Sequence, residues 1–234
     1  EKGAHVVMVC RNEERGEAAR QEIIQRSNNE QVDLMLCDLS VQADIEKCGL
    51  AMREKYTHID VLLNNAGGFF TKRRESADGL EMTFALDHMG YFLFTHYLLD
   101  LVRKGTTKRI INVSSEAHRI PKSIPWDDLQ HEQSYSSMQV YGEAKLYNVY
   151  FTQKLAQLLE TDGITVNALH PGFVASKFGS GQGILMQAVW WLLRPFQISE
   201  KKGAQTSIYL ASSPEVEDVT GKYFEKQQQS EKTT

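Results

Sequence analysis

Short runs of β-branched and other apolar residues recur along the chain, each followed by a longer stretch of apolar and charged residues at helical spacing. Val6-Val7-Met8-Val9 is the first compact run, and Asn12 to Arg26 follows it with charges, Ala and Ile at helical spacing. Val32 to Leu36 reads as a second strand, with a helix from Val41 to Lys55. Ile59 to Leu63 is a third strand, and a long helix is expected from Gly79 to Arg103. Arg109 to Val113 and Ile164 to Leu169 are further strands, separated by a second long helix from Ser136 to Glu160. Strands separated by helices need right-handed crossovers, so the pattern predicts an α/β fold on a parallel sheet. The length, 234 residues, suits one such domain over residues 1–226. Residues 227–234 are polar and low in complexity and are expected to form a disordered tail.

In sheets of this kind ligands sit beyond the C-terminal ends of the strands. The chain places Arg11, Asp38, Asn64 to Gly67, Ser114-Ser115 and Pro171-Gly172 there. Turns also use these residue types, so no single one of them is diagnostic.

Tyr141 and Lys145 stand four apart on the second long helix, which puts them on one face. A free phenol has a pKa of about 10, too high for efficient proton transfer at neutral pH. A cation beside it favours the phenolate, which gives this spacing a chemical use. Taken alone, the same spacing more often marks a half-buried tyrosine and a solvated lysine. Ser114-Ser115 follows a strand, where a hydroxyl could hold a carbonyl oxygen beside the tyrosine. No GxSxG surrounds the pair, which speaks against a hydrolase nucleophile.

Composition narrows the classes further. The net charge is −4 with no basic stripe, which argues against nucleic acid. The three cysteines, Cys10, Cys37 and Cys48, have neither CxxC nor metal-ligand spacing, and the seven histidines form no HExxH. No metal is expected, and the cysteine usage fits a reducing compartment.

Taken in order, Cys10-Arg11-Asn12, Cys37-Asp38-Leu39-Ser40, Asn64-Asn65-Ala66-Gly67, Arg109 to Ser115, Tyr141 to Lys145 with Leu146 and Asn148, Leu169-His170-Pro171-Gly172, Gly203 to Thr206 and Gly221 to Phe224 form one ordered set. The chain resembles the short-chain dehydrogenase/reductases over nearly its whole length, nearest to their retinol-dehydrogenase-like branch. The resemblance implies a Rossmann-type doubly wound sheet and an alcohol–carbonyl oxidoreductase. It implies Tyr141 as general acid/base, Lys145 as the residue that lowers its pKa and binds the nicotinamide ribose, and Ser115 as the residue that orients the substrate oxygen. Asn65, Ala66 and Gly67 would line the cofactor, with Asn65 also bracing the sheet. Asp38 and Leu39 would contact adenine, and Pro171, Gly172, Val174 and Ser176 the nicotinamide carboxamide. Arg11 stands where NAD-binding relatives carry a carboxylate, and a guanidinium suits a ribose 2′-phosphate, so NADP(H) is the expected cofactor.

The chain departs from the family pattern at two places. Asp87 occupies a position where the family has asparagine. It would bind a water that links the lysine to solvent, or pair with Lys145 and raise the tyrosine pKa. The chain also opens at Glu1-Lys2-Gly3, almost directly into the strand at Val6, without the first strand and the glycine-rich turn that receives the pyrophosphate. That strand would lie between the strands at Val6 and Ile59. The expected consequences are two interior strands without partners, low stability and weak NADP(H) binding. The reading is of a fragment, with an upstream anchor left open.

The apolar stretch from Ile184 to Phe196 matches the family's substrate lid in position and contains Trp190-Trp191. It is too short to span a bilayer and suits a lipophilic alcohol or carbonyl substrate, a peripheral membrane contact or an ordinary packed helix. The expected location is the cytoplasmic side, soluble or membrane-associated. A homodimer through the long helices rests on the resemblance alone. The rival function is that of a catalytically weak relative acting as a binding or scaffold protein.

Overall fold

The structure, a computed structural model, describes residues 2–174 and 197–230. The order is β1 (Val6–Cys10), α1 (Glu13–Ser27), β2 (Val32–Leu36), α2 (Gln42–Lys55), β3 (Val61–Asn64), α3 (Met82–Phe84), a π turn (Ala85–Met89) and α4 (Gly90–Arg103). Then come β4 (Arg109–Val113), a 3-10 turn (Glu116–Arg119), α5 (Ser137–Leu158), β5 (Thr165–His170), α6 (Glu200–Gly203), α7 (Gln205–Ser212), β6 (Tyr223–Glu225) and β7 (Gln228–Gln229).

The strands form two sheets. β1 pairs with β2 in parallel, and β3-β4-β5-β6 form a parallel sheet with β7 antiparallel on its edge. β1 and β3 share no ladder, so the described strands leave a break where the sequence places it. The expected long helix from Gly79 starts instead at Met82, because Gly79 turns the chain at φ +75° and the Glu81 side chain accepts from the Phe84 amide. The expected tail continues as a strand through Gln229. Lys226 and Gln227, at φ 51° and 64°, turn the chain back onto β6.

Ile110 and Ile111 of β4 show how the larger sheet is covered. Alternate residues face opposite sides of a strand. Ile110 packs with Leu62, Phe94, Leu98 and Val166, and Ile111 with Leu169, Leu210 and Phe224. Every residue of β4 is buried, as a parallel strand with both faces covered requires. Asn112 faces the helices within this core. Its amide oxygen accepts from Asn64 at 2.8 Å and its nitrogen donates to Thr152 at 2.9 Å. Asn64 also donates to Thr95 at 3.0 Å, so the sheet is braced by Asn64, which is buried, and not by Asn65, which is exposed.

Helix α2 ties the smaller sheet to the rest. Val7, Val9 and Met35 pack against the core that α2 shares with α4. At the end of α2, the Tyr56 hydroxyl donates to Asp33 of β2 at 2.5 Å and Lys55 pairs with it at 2.9 Å. The Tyr56 hydroxyl first, then Lys55 and His5, hold the Asp33 carboxyl down at about 2. A depressed carboxyl contributes stability above its unfolded pKa, about 4, and that contribution disappears as pH falls through the folded value. Asp33→Asn is therefore expected to lower the melting temperature at pH 7 and to leave it nearly unchanged at pH 2, as thermal unfolding followed by circular dichroism would check.

Candidate active site

The ends of β3, β4 and β5 converge on the first turns of α5. Beyond β4, the Ser114 hydroxyl donates to the Lys145 carbonyl at 2.8 Å, which fixes the strand end to the helix. Ser115 opens the 3-10 turn, its Oγ accepting from the Ala117 amide at 3.2 Å. Gly142 lets that turn sit against α5, since a Cβ there would lie 2.7 Å from the Ala117 carbonyl oxygen. The seat brings Ser115 beside the Tyr141 phenol, near enough to lower its pKa. Phe69 packs edge-on against the Tyr141 ring, with centroids 5.7 Å apart.

Lys145 lies one turn beyond Tyr141 and is 3% exposed, with Nζ 5.6 Å from the Tyr141 ring centroid and 5.5 Å from that of Tyr91. Asp87, 0% exposed, forms an ion pair with it at 3.1 Å. Burial alone would push Lys145 down, but the Asp87 carboxylate, with Tyr91 and Tyr141, reverses this and raises it, so the lysine stays protonated. Burial pushes Asp87 up, against the pull of Lys145 and of the Gly68 amide, which donates to Oδ1 at 2.8 Å. Of the two roles open to Asp87 from the sequence, the structure displays the lysine pair.

The lowered tyrosine pKa expected from a neighbouring cation is corrected, first by burial and then by Asp87. Burial raises the Tyr141 phenol, Lys145 lowers it, Asp87 raises it and the Ser115 hydrogen bond lowers it. The sum lies above the ordinary tyrosine value.

The π turn explains how Asp87 reaches the lysine. A π turn is one residue wider than an α turn and frees a carbonyl. The Asp87 carbonyl accepts from the Asn148 amide nitrogen at 2.7 Å, and Asn148 Oδ1 contacts Nδ1 of His88 at 3.0 Å. Gly67 closes the site from the β3 end, where a Cβ would lie 3.1 Å from Asp87 Oδ2 and 3.3 Å from Lys145 Nζ. Gly68, Tyr91 and Phe69 carried no sequence signal for this site. Asn148 did, standing three residues after Lys145 on the same helical face.

The remaining site residues lie at other strand ends. Arg11, after β1, pairs with Asp38, after β2, at 3.3 Å, and its side chain is 71% exposed. Burial would raise Asp38, but the hydroxyl and amide of Ser40 and the Arg11 guanidinium hold it below its usual value. Leu39 follows, its carbonyl oxygen 2.6 Å from where a Cβ on Gly90 would sit. Asn65 and Gly67 are exposed and Ala66 half-buried. Pro171 and Gly172 follow β5, with Gly172 at φ +90°, and Val174 bridges to Ile198 in parallel. Ser176 and the apolar stretch from Ile184 to Phe196 lie outside the described residues.

These positions match a nicotinamide dinucleotide unevenly. The exposed Arg11 guanidinium beside Asp38 fits the adenosine end, and the fixed Lys145 cation beside Tyr141 fits the nicotinamide ribose. Helix α1 does not offer a pyrophosphate site. Its N-terminus is filled by the Asn12 side chain, which accepts from Arg15 N, and opens with Glu13 and Glu14.

A family model described as short chain dehydrogenase matches residues 1–182. The chain belongs to the short-chain dehydrogenase family. It is 40% identical over 225 residues to human retinol dehydrogenase 12, covering 95% of this chain and 70% of the relative. Among solved structures, an uncharacterised protein from Mycobacterium paratuberculosis superposes with TM-score 0.72 at 27% identity, over 95% of this chain and 71% of that one. A short-chain dehydrogenase/reductase of unknown function from Caenorhabditis elegans, solved with cofactor, superposes with TM-score 0.63 at 25% identity, over 82% of this chain and 68% of that one. The protein is a retinol-dehydrogenase-like oxidoreductase interconverting alcohols and carbonyls, and its family uses a nicotinamide cofactor. Among the described residues, no helix is long and apolar enough to cross a membrane.

The Asp87 charge acts on the phenol in a direction that can be measured. A tyrosine that takes a proton from an alcohol must first lose its own, so oxidation that used Tyr141 as its base would rise with pH through the phenol pKa. Asp87→Asn removes a charge that raises that pKa. The acid limb of kcat for oxidation is expected to move to lower pH, and an unchanged pH–rate profile would remove Asp87 from the electrostatics of the site.

Proposed function

We propose that this protein reduces a lipophilic aldehyde or ketone, or oxidises the matching alcohol, with NADP(H), using Tyr141 as proton donor and acceptor. The observation that carries the reading is the buried Lys145 cation held by Asp87 one turn from the Tyr141 phenol, with Ser115 beside that phenol. The cofactor, when bound, supplies or takes the hydride.

The chain's own residues do the rest. Ser115 Oγ–H donates to the substrate oxygen and fixes it beside the phenol. In reduction, the Tyr141 O–H gives its proton to that oxygen as negative charge develops there. Its raised pKa keeps the phenol protonated in the resting site, which suits donation. Lys145 then stabilises the phenolate left behind. In oxidation each transfer runs in reverse. Pro171, Gly172, Val174 and Ser176 would meet the carboxamide, and Asn65, Ala66, Gly67 and Leu39 would line the cofactor between its ends.

NADP(H) is favoured over NAD(H) by Arg11. Its guanidinium is exposed and, among the described residues, held by Asp38 alone, so it can turn to a 2′-phosphate. A lipophilic substrate is favoured by the aromatic Phe69 packed against Tyr141 and by likeness to a relative named for retinol.

The test is turnover of all-trans-retinal with NADPH, against propanal and against NADH. Tyr141→Phe is expected to lower kcat by roughly 10²–10⁴, the usual worth of general acid catalysis. Arg11→Ala is expected to weaken NADPH roughly 10- to 100-fold, the worth of a charge-assisted hydrogen bond, and to leave NADH affinity unchanged. A Tyr141→Phe protein as active as the parent would reject the assignment. A parent that binds NADPH but turns over neither aldehyde would favour the scaffold reading.

A further inference from the structure

The peptide unit between Ser115 and Glu116 is held at both ends by histidine side chains. Its carbonyl accepts from the His118 amide at 3.0 Å and meets Nδ1 of His118 at 2.6 Å. Its N–H donates to Nδ1 of His170, the last residue of β5, at 3.2 Å. A carbonyl oxygen has no proton to give, so Nδ1 of His118 must carry one. An amide N–H has no lone pair to offer, so Nδ1 of His170 must carry none. The two rings are therefore fixed in opposite tautomers, Nδ1–H for His118 and Nε2–H for His170.

Neither ring is in the reacting set, and both grip the residue that is. Ser115 lies beside the Tyr141 phenol and lowers its pKa, and the direction of its Cβ follows from the plane of the peptide after it. His118 is 1% exposed and packs on the Tyr223 ring with centroids 4.8 Å apart, while its Nε2 has no hydrogen-bond partner. A ring buried in this way serves its single bond to the Ser115 carbonyl. Outside the turn, Arg119 pairs with Glu116 at 3.1 Å and with Glu225 of β6 at 3.1 Å, and Glu225 stands in register with His170.

We propose that His118 and His170 are positioning residues that orient Ser115 for the reaction by clamping the Ser115–Glu116 peptide, and that protonation of His170 opens the clamp. The inference rests on Ser115 and Tyr141 being the reacting pair. Burial lowers the pKa of His170 first of all; Glu225 raises it, and His118, Arg119 and Lys226 lower it. Burial also lowers His118, against its bond to the Ser115 carbonyl, with Arg119 lowering and Glu116 and Glu225 raising it. Both rings are then neutral above their lowered values. As pH falls through the His170 value, Nδ1 gains a proton that faces the Glu116 N–H, donor against donor, and the bond is lost.

Two measurements test this. Nitrogen-15 NMR of the imidazole rings at neutral pH should show Nδ1–H for His118 and Nε2–H for His170, each assigned by its absence from His118→Asn and His170→Asn proteins. For turnover, His170→Leu deletes the acceptor and is expected to lower kcat about tenfold at every pH, the worth of one hydrogen bond, with little change in KM. His170→Asn places an amide oxygen where Nδ1 lies, an acceptor that cannot be protonated. It should rescue the Leu loss and remove the acid-side fall assigned to His170. A protonated Nδ1 on His170 at neutral pH overturns the clamp, as does an Asn protein no better than the Leu protein. If the tautomers are as stated and the parent turns over no carbonyl, the positioning role falls together with the reading of Ser115 and Tyr141, and the clamp alone stands.

Discussion

The site depends on one buried contact, the ion pair between Asp87 and Lys145. Two opposite charges taken out of water are tolerable only together, because removing either leaves the other uncompensated at a cost of about 3–5 kcal/mol. That requirement orders what surrounds them. The Gly68 amide faces Asp87, a side chain on Gly67 would crowd the pair, and Asp87 stands in the widened π turn. Asn148 takes the carbonyl that the widened turn releases. Three segments far apart in sequence are thereby locked to one lysine, and the phenol one turn away inherits the field of the pair rather than that of a bare cation.

The pair also gives the proton chemistry its direction. A bare lysine would favour the phenolate and a strong base. With Asp87 beside it, the lysine keeps its proton while its pull on the tyrosine is partly cancelled, so the phenol is set up to give a proton as well as to accept one. Ser115 answers to a separate support, the peptide clamp between His118 and His170. Tyr141 and Ser115, the acid and the orienting residue of the proposed reaction, are therefore held by different networks that meet where Ser115 lies beside the phenol.

The two ends of the site are supported unequally. Ser115 and Pro171 follow strands of a contiguous sheet, and Tyr141 and Lys145 stand on α5, which is tied to that sheet through the Asn64–Asn112–Thr152 hydrogen bonds. Arg11, Asp38 and Leu39 belong to the separate β1–β2 pair, which joins the core through α2 packing and the bond from Tyr56 to Asp33.

Local periodicity determined much of this protein. Alternation and helical spacing set the parallel strands and their helices, because those repeats come from backbone geometry alone. The four-residue step from Tyr141 to Lys145 likewise fixed a shared face before any fold was known. The elements it misplaced were those governed by single residues: Gly79 turning the chain ahead of α3, and Lys226 and Gln227 at positive φ converting an expected tail into β7. The sequence marked Asp87 as unusual but left two roles open, and it credited Asn65 with a brace that belongs to Asn64. Only the tertiary structure decided that Asp87 faces Lys145, that burial outweighs the cation at Tyr141, and that His118 and His170 grip one peptide. The physical reason is that each of these rests on a hydrogen bond or a loss of solvent between residues from different elements. Such contacts depend on strand register and helix seating, and these arise only when the elements pack.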